Sequence, residues 1–413
     1  MTSLAAAGGE TRGAAKIIEA ILTPDGQADP YPLYADLHRI GDVASLGPGH
    51  AVAYSYQAVS TALREPEFLV KDAAYLDEVW PQWREHPSLL QHSLLTTNPP
   101  DHGRIRSLLA STFTPRRVAQ LEPAIEGVIR RLADELREFC RDRAPADFMA
   151  AFAYQLPVTV ICELLGVPEE DRETFRPRAR DLALGIDFMD DPDLVRAADE
   201  AAIWLHDYFG RLAATRRSEP RDDLITALVQ AAEADGSISY ADLLGNLTLL
   251  LFAGFETTTN LLGNGLHLIM TSPAVEAGLR SGEVGVPEFV SEVLRYDPPV
   301  QAGTDRWCPA DSDLCGVPLA AGSSVIVLIG AANRDPRRFA DPDVFDPSRR
   351  DGAALSFGAG PHYCLGAALA RLEGQLAFRY LMTTFLRLTP AGDPVRRGGV
   401  ALRGFDRLPV MLA

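Results

Sequence analysis

The strongest constraint on this chain is a ten-residue loop near its C-terminal end, Phe357-Gly358-Ala359-Gly360-Pro361-His362-Tyr363-Cys364-Leu365-Gly366. We call it the cysteine loop. Its glycines allow backbone geometry and close approach that a side chain would prevent. The apolar, helix-patterned stretch that follows, over residues 364–386, predicts that Cys364 lies at a helix start. Unpaired N–H groups and the positive end of a helix dipole favour a thiolate there. A thiolate held against a flat cofactor by closely packed backbone suits a haem iron ligand.

Two other interpretations of Cys364 are weaker. A lone cysteine beside a turn is usually a small buried hydrophobe. A zinc site would need a second closely spaced Cys/His pair to complete four ligands, and His362 and Cys364 have none. The full pattern of Phe, His, Cys and three glycines resembles the haem-binding loop of the cytochrome P-450 family. The resemblance implies haem b (iron protoporphyrin IX) with Cys364 as axial iron ligand. It also implies haem contacts from other loop residues, namely Phe357, Gly358, His362 and Gly366.

The bulk composition predicts one large domain that acts on a small molecule. With 413 residues, 47% of them hydrophobic, the chain can bury a large core. The 30 prolines and 33 glycines are scattered as turn punctuation and form no linker. We therefore expect a single domain over 26–413, preceded by a flexible segment over 1–25. The net charge of −17 opposes nucleic-acid binding, which needs a basic surface.

Cysteine usage and the apolar runs bear on localisation. The five cysteines are irregularly spaced, which fits a reducing compartment. Residues 1–30 contain no charged segment followed by an apolar core. The longest apolar run, residues 247–255, is far shorter than the ~20 residues that span a bilayer. We expect a cytoplasmic monomer without a membrane anchor.

Helical patterns dominate the chain. The longest, about residues 240–271, opens with a capping-box sequence, Ser239-Tyr240-Ala241-Asp242, in which Asp replaces the usual Glu. Apolar residues around Gly47-Pro48-Gly49 predict a hairpin over 43–54. Residues 323–329 give the clearest strand. The fold class is therefore mainly α, a large helical domain with a minor antiparallel β region, and the family resemblance implies the cytochrome P-450 fold.

A second motif, Ala253-Gly254-Phe255-Glu256-Thr257-Thr258, lies inside the longest helical pattern. A mid-helix glycine costs about 1 kcal/mol relative to alanine, and buried leucines are a poor setting for an acid and two hydroxyls. Such conflict is expected at functional sites. A threonine hydroxyl can bond to the carbonyl four residues earlier and loosen the helix, which would open a notch for O2 and water. The alternative is a solvent-facing Glu-Thr patch, for which the flanking leucines leave little room.

The same segment resembles the oxygen-activation motif of the family. The resemblance implies that Thr257 hydrogen-bonds O2 and that Glu256 relays protons to it, a general-acid role. It also places Ala253 and Gly254 against the haem.

Glu292 and Arg295 form a third constellation, because their i, i+3 spacing puts both charges on one helix face. Seen alone this is an ordinary exposed pair of little worth, but apolar neighbours such as Phe289 and Val293 indicate a buried helix. By family resemblance the pair joins Arg349 in a structural ion network that supports the cysteine loop. Its role would be in the fold and in cofactor retention.

Four cationic side chains match family positions that hold the haem propionates. Buried carboxylates need charged hydrogen-bond partners, and the candidates are His102, Arg106, Arg306 and His362. Taken individually, each is better interpreted as a surface residue. Elsewhere, Arg104, Arg116 and Arg117 are either plain solvated arginines or a basic patch for an acidic ferredoxin.

The resemblance implies a haem-thiolate monooxygenase that activates O2 to hydroxylate or epoxidise a hydrophobic small molecule, in secondary-metabolite and antibiotic biosynthesis. Electrons would come from NAD(P)H through an external ferredoxin reductase and ferredoxin, because no G-x-G-x-x-G unit for a nicotinamide or flavin domain is found. Three alternatives stay open: oxidative coupling or desaturation on the same scaffold, an H2O2-driven peroxygenase, and a non-catalytic haem-binding protein.

Overall fold

The computed structural model describes residues 9–140, 144–187, 191–234 and 238–412, and helices predominate within these ranges. The α-helices are α1 (Gly9–Ile21), α2 (Pro24–Ala28), α3 (Tyr31–Ile40), α4 (Tyr56–Arg64), α5 (Ala73–Val79), α6 (Asp101–Ala110), α7 (Pro115–Gln120), α8 (Glu122–Phe139), α9 (Gln155–Leu165), α10 (Phe175–Asp187), α11 (Pro192–Ser218), α12 (Leu224–Ala234), α13 (Tyr240–Thr271), α14 (Pro273–Ser281), α15 (Val286–Tyr296), α16 (Ile329–Ala332) and α17 (Ala367–Thr384). Short 3-10 helices occupy Pro81–Glu85, Pro87–Leu89, Glu169–Thr174 and Gly360–His362, and a π-helical turn occupies Met149–Ala153.

The strands are short and form small sheets. They are β1 (Val43–Gly47), β2 (His50–Ala53), β3 (Leu69–Val70), β4 (Ala146–Asp147), β5 (Arg306–Trp307), β6 (Ser312–Leu314), β7 (Val317–Leu319), β8 (Ser324–Val327), β9 (Leu388–Pro390), β10 (Val395–Arg396), β11 (Phe405–Arg407) and β12 (Pro409–Leu412). The largest sheet has the order β1-β2-β8-β5-β3. Its β2–β8 pair is parallel, whereas the other strand pairs among the described residues are antiparallel.

Helix α13 is the central element, and its bounds match the helix predicted from the sequence. The capping box is present: the Asp242 N–H donates to Ser239 Oγ over 3.0 Å, and the Ser239 N–H donates to the Asp242 carboxylate over 3.2 Å. The helix spans 32 residues, or about 48 Å. The main hydrophobic core surrounds it and includes residues of α8, α9, α15 and α17. No helix in the described part of the chain is long and apolar enough to cross a membrane.

The N-terminal segment, for which the sequence analysis expects flexibility over 1–25, contains α1 and the start of α2. Residues 1–8 lie outside the described residues, but α1 is helical and buries Ala14 and Ile21 in a small core with residues of α3. Ala14, Ile17 and Ile21 lie on one face of α1, so the helix has an apolar stripe to bury. The Ala- and Gly-rich composition of this segment obscured that stripe.

The helix predicted over 364–386 begins at Ala367, since residues 360–362 form a 3-10 turn and Gly366 is the N-cap. Helices α7 and α8 follow each other closely and divide at Leu121. Pro123, in the first turn of α8, has no N–H with which to continue the preceding helix. The hairpin predicted over 43–54 is confirmed as β1 and β2. The mainly α fold class is confirmed as well.

Candidate active site

The cysteine loop folds back on itself so that Cys364 is held at the entrance to α17. Gly358 and Gly360 have φ angles of +68° and +67°, which L side chains rarely adopt. A Cβ on Gly360 would also lie 2.4 Å from the carbonyl oxygen of Leu63, so the loop packs directly against the end of α4. The Cys364 N–H donates to the Phe357 carbonyl over 2.9 Å and closes the loop. These contacts fix the direction of the sulfur.

Cys364 is exposed, and yet protein atoms crowd it. Desolvation raises the pKa of its thiol, while the N–H of Gly366 and the charges of Arg106 and Arg371 act to lower that pKa. Exposed surface combined with strong desolvation indicates that the sulfur opens onto an internal space. The sequence analysis expected the helix start to favour a thiolate. In the chain itself burial outweighs that effect, and a coordinated metal cation is what deprotonates a thiol outright.

Gly366 and Gly254 are glycines for different reasons. A Cβ on Gly366 would meet no protein atom within 4 Å, so the backbone beside the sulfur borders open space into which a flat cofactor fits. A Cβ on Gly254 would lie 2.8 Å from Cγ1 of Ile161. That glycine therefore permits close packing of α13 against α9, a reason that the sequence did not reveal.

Helix α13 is open at one place only along its buried middle. From residue 245 to residue 266 every residue is buried except Ala253, Gly254 and Thr257. Because Ala253 and Gly254 lie four and three residues before Thr257, both neighbour Thr257 on the helix surface, and the three residues form a single opening. The Thr257 hydroxyl donates to the Ala253 carbonyl over 3.0 Å, the back-bond that the sequence predicted. The helix nevertheless continues unbroken through the motif, so the predicted notch does not interrupt it.

Glu256 is buried and ion-paired. One carboxylate oxygen, Oε2, lies 3.2 Å from Nη1 of Arg397, and only 11% of the Glu256 side chain is exposed. The sequence analysis missed Arg397, which is 141 residues away in the chain. A charged partner was to be expected because a buried carboxylate requires one.

His102, Arg106, Arg306 and His362 come together, and we call them the cation cluster. The rings of His102 and His362 are 4.2 Å apart between centroids. Desolvation, together with the positive charges of Arg306, His102 and Arg106, lowers the pKa of His362 to about 3. Arg106 donates to the Tyr363 carbonyl over 2.7 Å, which connects α6 to the cysteine loop.

The cation cluster contains no carboxylate. Arg306 is only 3% exposed and donates to the carbonyls of Thr304 and Asp305. Among the described residues neither Arg306 nor Arg106 has a carboxylate within ion-pair distance, and Asp305, whose charge acts on Arg306, is itself paired with Lys71 at 2.7 Å. The buried Nε2 of His102 makes no hydrogen bond with the described residues. Burial lowers the pKa of Arg306 to about 10, so it stays charged at neutral pH. A buried charge without a counter-charge is strongly unfavourable, and this donor set fits an anionic group such as a pair of propionates.

Glu292, Arg295 and Arg349 meet in a buried cluster that we call the ion network. Arg295 binds Glu292 through two hydrogen bonds of 2.7 and 2.8 Å, and Arg349 Nε lies 3.5 Å from the same carboxylate. Arg295 also donates to the carbonyls of Asn333, Pro342 and Val344. The five N–H groups of Arg295 thus donate to one carboxylate and three carbonyls.

The ion network is connected to the cysteine loop through Asn333. The Asn333 side chain donates to Ser356 Oγ over 2.9 Å and accepts from the Leu355 N–H over 2.7 Å. The Ser356 hydroxyl donates to the carbonyl of Leu294 in α15. The loop is therefore tied to α15 immediately before it turns toward Cys364.

The cysteine loop and α13 are linked on the opposite side by Leu94. His362 hydrogen-bonds the Leu94 backbone, and the Leu94 N–H donates to Asn246 Oδ1 of α13 over 2.9 Å. The fold thus brings together a sulfur that opens inward, a cation cluster that requires an anion, and a helix that opens beside an acid and an alcohol. These groups suit a flat cofactor that carries acidic groups.

Comparison with known proteins identifies the family. The family model "Cytochrome P450" matches residues 189–282 and 286–397. The chain is 37% identical to the cytochrome P450 monooxygenase PikC of Streptomyces venezuelae, over 94% of this chain and 92% of that protein. It is 35% identical to the mycinamicin IV hydroxylase/epoxidase of Micromonospora griseorubida, over 92% of this chain and 94% of the other.

A solved structure agrees over nearly the whole length. P450BioI in complex with an acyl carrier protein ligated to hexadec-9Z-enoic acid superimposes with a TM-score of 0.87 at 32% identity, over 94% of this chain and 100% of that one. The chain belongs to the cytochrome P450 family and has its fold. It is a haem-dependent monooxygenase of the kind found in secondary-metabolite biosynthesis.

Proposed function

We propose that Cys364 is the axial iron ligand of haem b and that the cation cluster holds the two propionates. The observation that carries this proposal is the cation cluster itself: buried positive charge beside the cysteine loop with no acidic partner among the described residues. Phe357, Gly358 and Gly366 would contact the haem on the side of the sulfur. Ala253 and Gly254 would contact the opposite side, where α13 opens.

When bound, the haem supplies oxygen activation and the insertion of oxygen into a C–H or C=C bond. The protein's part is to hold the oxygen molecule and deliver protons. Thr257 would hydrogen-bond the oxygen, since its hydroxyl lies at the open face of α13 and has only the Ala253 carbonyl as a recorded partner. Glu256, one residue earlier, would relay protons to the oxygen. The ion network would keep the loop in place without contacting the substrate.

The proposed substrate is a hydrophobic natural product of the polyketide or macrolide type. The support is the activity of the relative named as mycinamicin IV hydroxylase/epoxidase, whose chain aligns over nearly its full length with this one. Apolar helix surface around the opening, including Leu249 and Leu250, supports a hydrophobic ligand. Hydroxylation and epoxidation are both part of the proposal, and oxidative coupling or desaturation on the same scaffold is its alternative.

Electrons would come from NAD(P)H through a ferredoxin reductase and a ferredoxin. Arg116 and Arg117 are exposed at the start of α7 and have no recorded ion-pair partner, so they are available to an acidic protein. Arg104 differs, because it pairs with Asp101 over 2.9 Å. The proposal places the enzyme in the cytoplasm, where NAD(P)H is available, and takes the chain to act as a monomer.

Turnover with a macrolide panel tests the proposal. The reconstituted holoenzyme is given ferredoxin, ferredoxin reductase and NADPH, or H2O2 alone, after difference spectra have selected compounds that displace water from the iron. Oxygenated product in the first arm supports the monooxygenase. Product only with H2O2 would favour the peroxygenase, a product without added oxygen would favour coupling or desaturation, and binding without product would favour a sensor.

Thr257→Ala tests the proposal that the Thr257 hydroxyl hydrogen-bonds the oxygen. Substrate binding should be kept while reducing equivalents are diverted to peroxide, because the hydroxyl no longer holds the oxygen for protonation. Thr271→Ala is the matched control, since Thr271 makes the same back-bond to His267 at the far end of α13. Unchanged product yield per NADPH in Thr257→Ala would refute the assignment.

A further inference from the structure

Asn246 is a polar side chain in an apolar part of α13. It is completely buried, and buried leucines follow it at 247 and 249–251. Its Oδ1 accepts the Leu94 N–H over 2.9 Å, and its Nδ2 donates to the Asp242 carbonyl over 2.7 Å and toward the His92 carbonyl over 3.5 Å. Because a buried amide is unfavourable unless its polar groups are paired, these bonds explain how an asparagine is tolerated here.

The segment over residues 90–97, which we call the connecting segment, lies directly against α13. A Cβ on Gly245 would be 2.4 Å from the His92 carbonyl oxygen, so the glycine permits this close approach. Asn246 is the next residue of the helix, and its amide reaches the backbone of the connecting segment directly. Leu94 is buried, and the bond to Asn246 satisfies its N–H.

Hydroxyl groups brace the connecting segment from within. Ser93 and Thr96 are both buried, and they donate to the Leu90 carbonyl over 2.6 and 2.8 Å. Satisfied buried hydrogen bonds of this kind make a segment rigid. The bond from Leu94 to Asn246 therefore sets where the connecting segment lies along α13.

The Leu94 carbonyl connects this segment to the cation cluster. Because the Leu94 N–H is already donated to Asn246, the group that bonds His362 is the carbonyl, and the imidazole donates to it. This bond restrains the plane of the His362 ring, whose centroid is 4.2 Å from that of His102. The role of one ring nitrogen is set by the bond that the other makes. The way in which His362 faces an anion therefore depends on a peptide group that α13 holds.

We propose that Asn246 is a positioning residue of the cofactor site, which acts through the Leu94 peptide to hold His362 in the orientation that binds a haem propionate. The proposal rests on the proposed role of the cation cluster. Asn246 lies 11 residues before Thr257, about 16 Å along α13. One helix would thus align both the propionate end of the haem and the face at which Thr257 holds the oxygen.

Asn246→Leu tests the positioning role, because it removes the acceptor with little change in volume. Transfer of haem to apomyoglobin should become about two- to tenfold faster, as expected for the loss of one hydrogen bond between uncharged groups. The propionate bending bands in the resonance Raman spectrum should shift. A residue that only stabilised the fold would change neither the transfer rate nor these bands.

Two further variants separate positioning from stability. In Asn246→Asp, a buried carboxyl that stays protonated can still accept from Leu94 and donate to the Asp242 carbonyl, so haem transfer should stay close to wild type. Asn264→Leu is the matched control, because Asn264 is equally buried in α13 and donates to the carbonyls of Asp297 and Arg403 instead. It should lower the unfolding temperature and leave haem transfer unchanged.

A double-mutant cycle with His362→Leu distinguishes the possible failures. If Asn246 acts through His362, adding Asn246→Leu to His362→Leu should not change the transfer rate further. A further increase in the double variant, or wild-type transfer in Asn246→Leu alone, would overturn the positioning role. Wild-type transfer in His362→Leu would instead overturn the proposed propionate contact of His362. If the leucine variant does not fold, Asn246→Ser repeats the test, since a serine hydroxyl bonds the carbonyl four residues earlier and not Leu94.

Discussion

The ion network around Glu292 and the cation cluster around Arg306 are both buried, but only the first contains its own counter-charge. Glu292 neutralises Arg295 at 2.7 Å and has Arg349 nearby at 3.5 Å. Arg306 has two carbonyls and no carboxylate. The ion network is connected to the residues just before the cysteine loop, and the cation cluster contacts the loop itself. Their difference therefore distinguishes a cluster that stabilises the fold from a cluster that binds the cofactor.

The comparison teaches that a buried charge left unbalanced by the chain marks where a ligand belongs. A self-compensated network stabilises the fold whatever is bound. The cation cluster is favourable only with an anion beside it. A substitution in the ion network should therefore lower the free energy of unfolding, whereas a substitution in the cation cluster should weaken haem retention.

Cys364→Ala should have the largest effect and should separate the iron ligand from the propionate anchors. The reduced-CO absorption shift typical of thiolate-bound haem should be abolished, whereas the cation cluster should still retain some haem. Cys315→Ala, at an exposed turn, should keep the shift. A preserved shift in Cys364→Ala would remove this residue as ligand.

Glu292→Gln should break the self-compensated cluster. It leaves the buried guanidinium of Arg295 without its carboxylate, which costs about 3–5 kcal/mol of unfolding free energy, whereas Arg349 keeps its ion pair with Asp351 at 2.7 Å. Urea unfolding of the holoenzyme measures this. Glu135→Gln, in the exposed pair with Arg131, should change the unfolding free energy by less than about 1 kcal/mol. Equal effects of the two substitutions would contradict the structural role of the ion network.

Arg306→Gln should weaken haem retention without lowering the stability of the haem-free protein. Haem transfer to apomyoglobin should be about 10- to 100-fold faster, because a charge-assisted hydrogen bond worth roughly 1.5–3 kcal/mol is lost. The haem-free protein should not be destabilised, since an unbalanced buried charge has been removed. Arg64→Gln, on the surface of α4, should alter neither quantity. If haem transfer stayed at the wild-type rate while the haem-free protein was strongly destabilised, Arg306 would have a structural role like that of the ion network.

Local signals in the sequence were sufficient for some parts of this picture. The bounds of α13 follow from Ser239, Asp242 and an apolar pattern, all of which lie within the helix and its cap. The cysteine loop is likewise contiguous, so its glycines and sulfur could be interpreted together. The start of α17 was misplaced by three residues, because the backbone turn over 360–366 depends on contacts with α4.

Long-range pairings could not be predicted in the same way. Arg397 meets Glu256 only because β10 and β11 return the chain to α13, and no local pattern marks it among the other arginines. The parallel pairing of β2 with β8 is equally non-local. The cations of the cluster were found only through family resemblance, and their lack of a carboxylate became visible only in three dimensions.

Glu373 is the acidic counterpart of Arg306 in this comparison, because it too is buried. It lies in α17 at 1% exposure, and its Oε2 has no hydrogen-bond partner. Burial raises the pKa of Glu373 to about 8. A carboxyl group can therefore respond to burial by remaining protonated at neutral pH, whereas Arg306, with its pKa lowered to about 10, cannot become neutral there. Only the guanidinium requires a counter-ion, so we expect no cation beside Glu373.

Glu373→Gln should leave haem retention and turnover unchanged and should act only on the pH dependence of stability. Between the pKa of Glu373 in the unfolded chain, 4.5, and its value of about 8 in the fold, only the folded state holds the proton. Wild-type stability should thus fall by up to about 1.4 kcal/mol per pH unit as pH rises through that window, and then level off. The amide removes this slope, which thermal unfolding of the holoenzyme from pH 5 to 8.5 measures, with Glu233→Gln at an exposed ion pair as the control. Identical slopes in Glu373→Gln and wild type would mean that the carboxyl is ionised in the fold, and an unrecognised cation would then have to balance it.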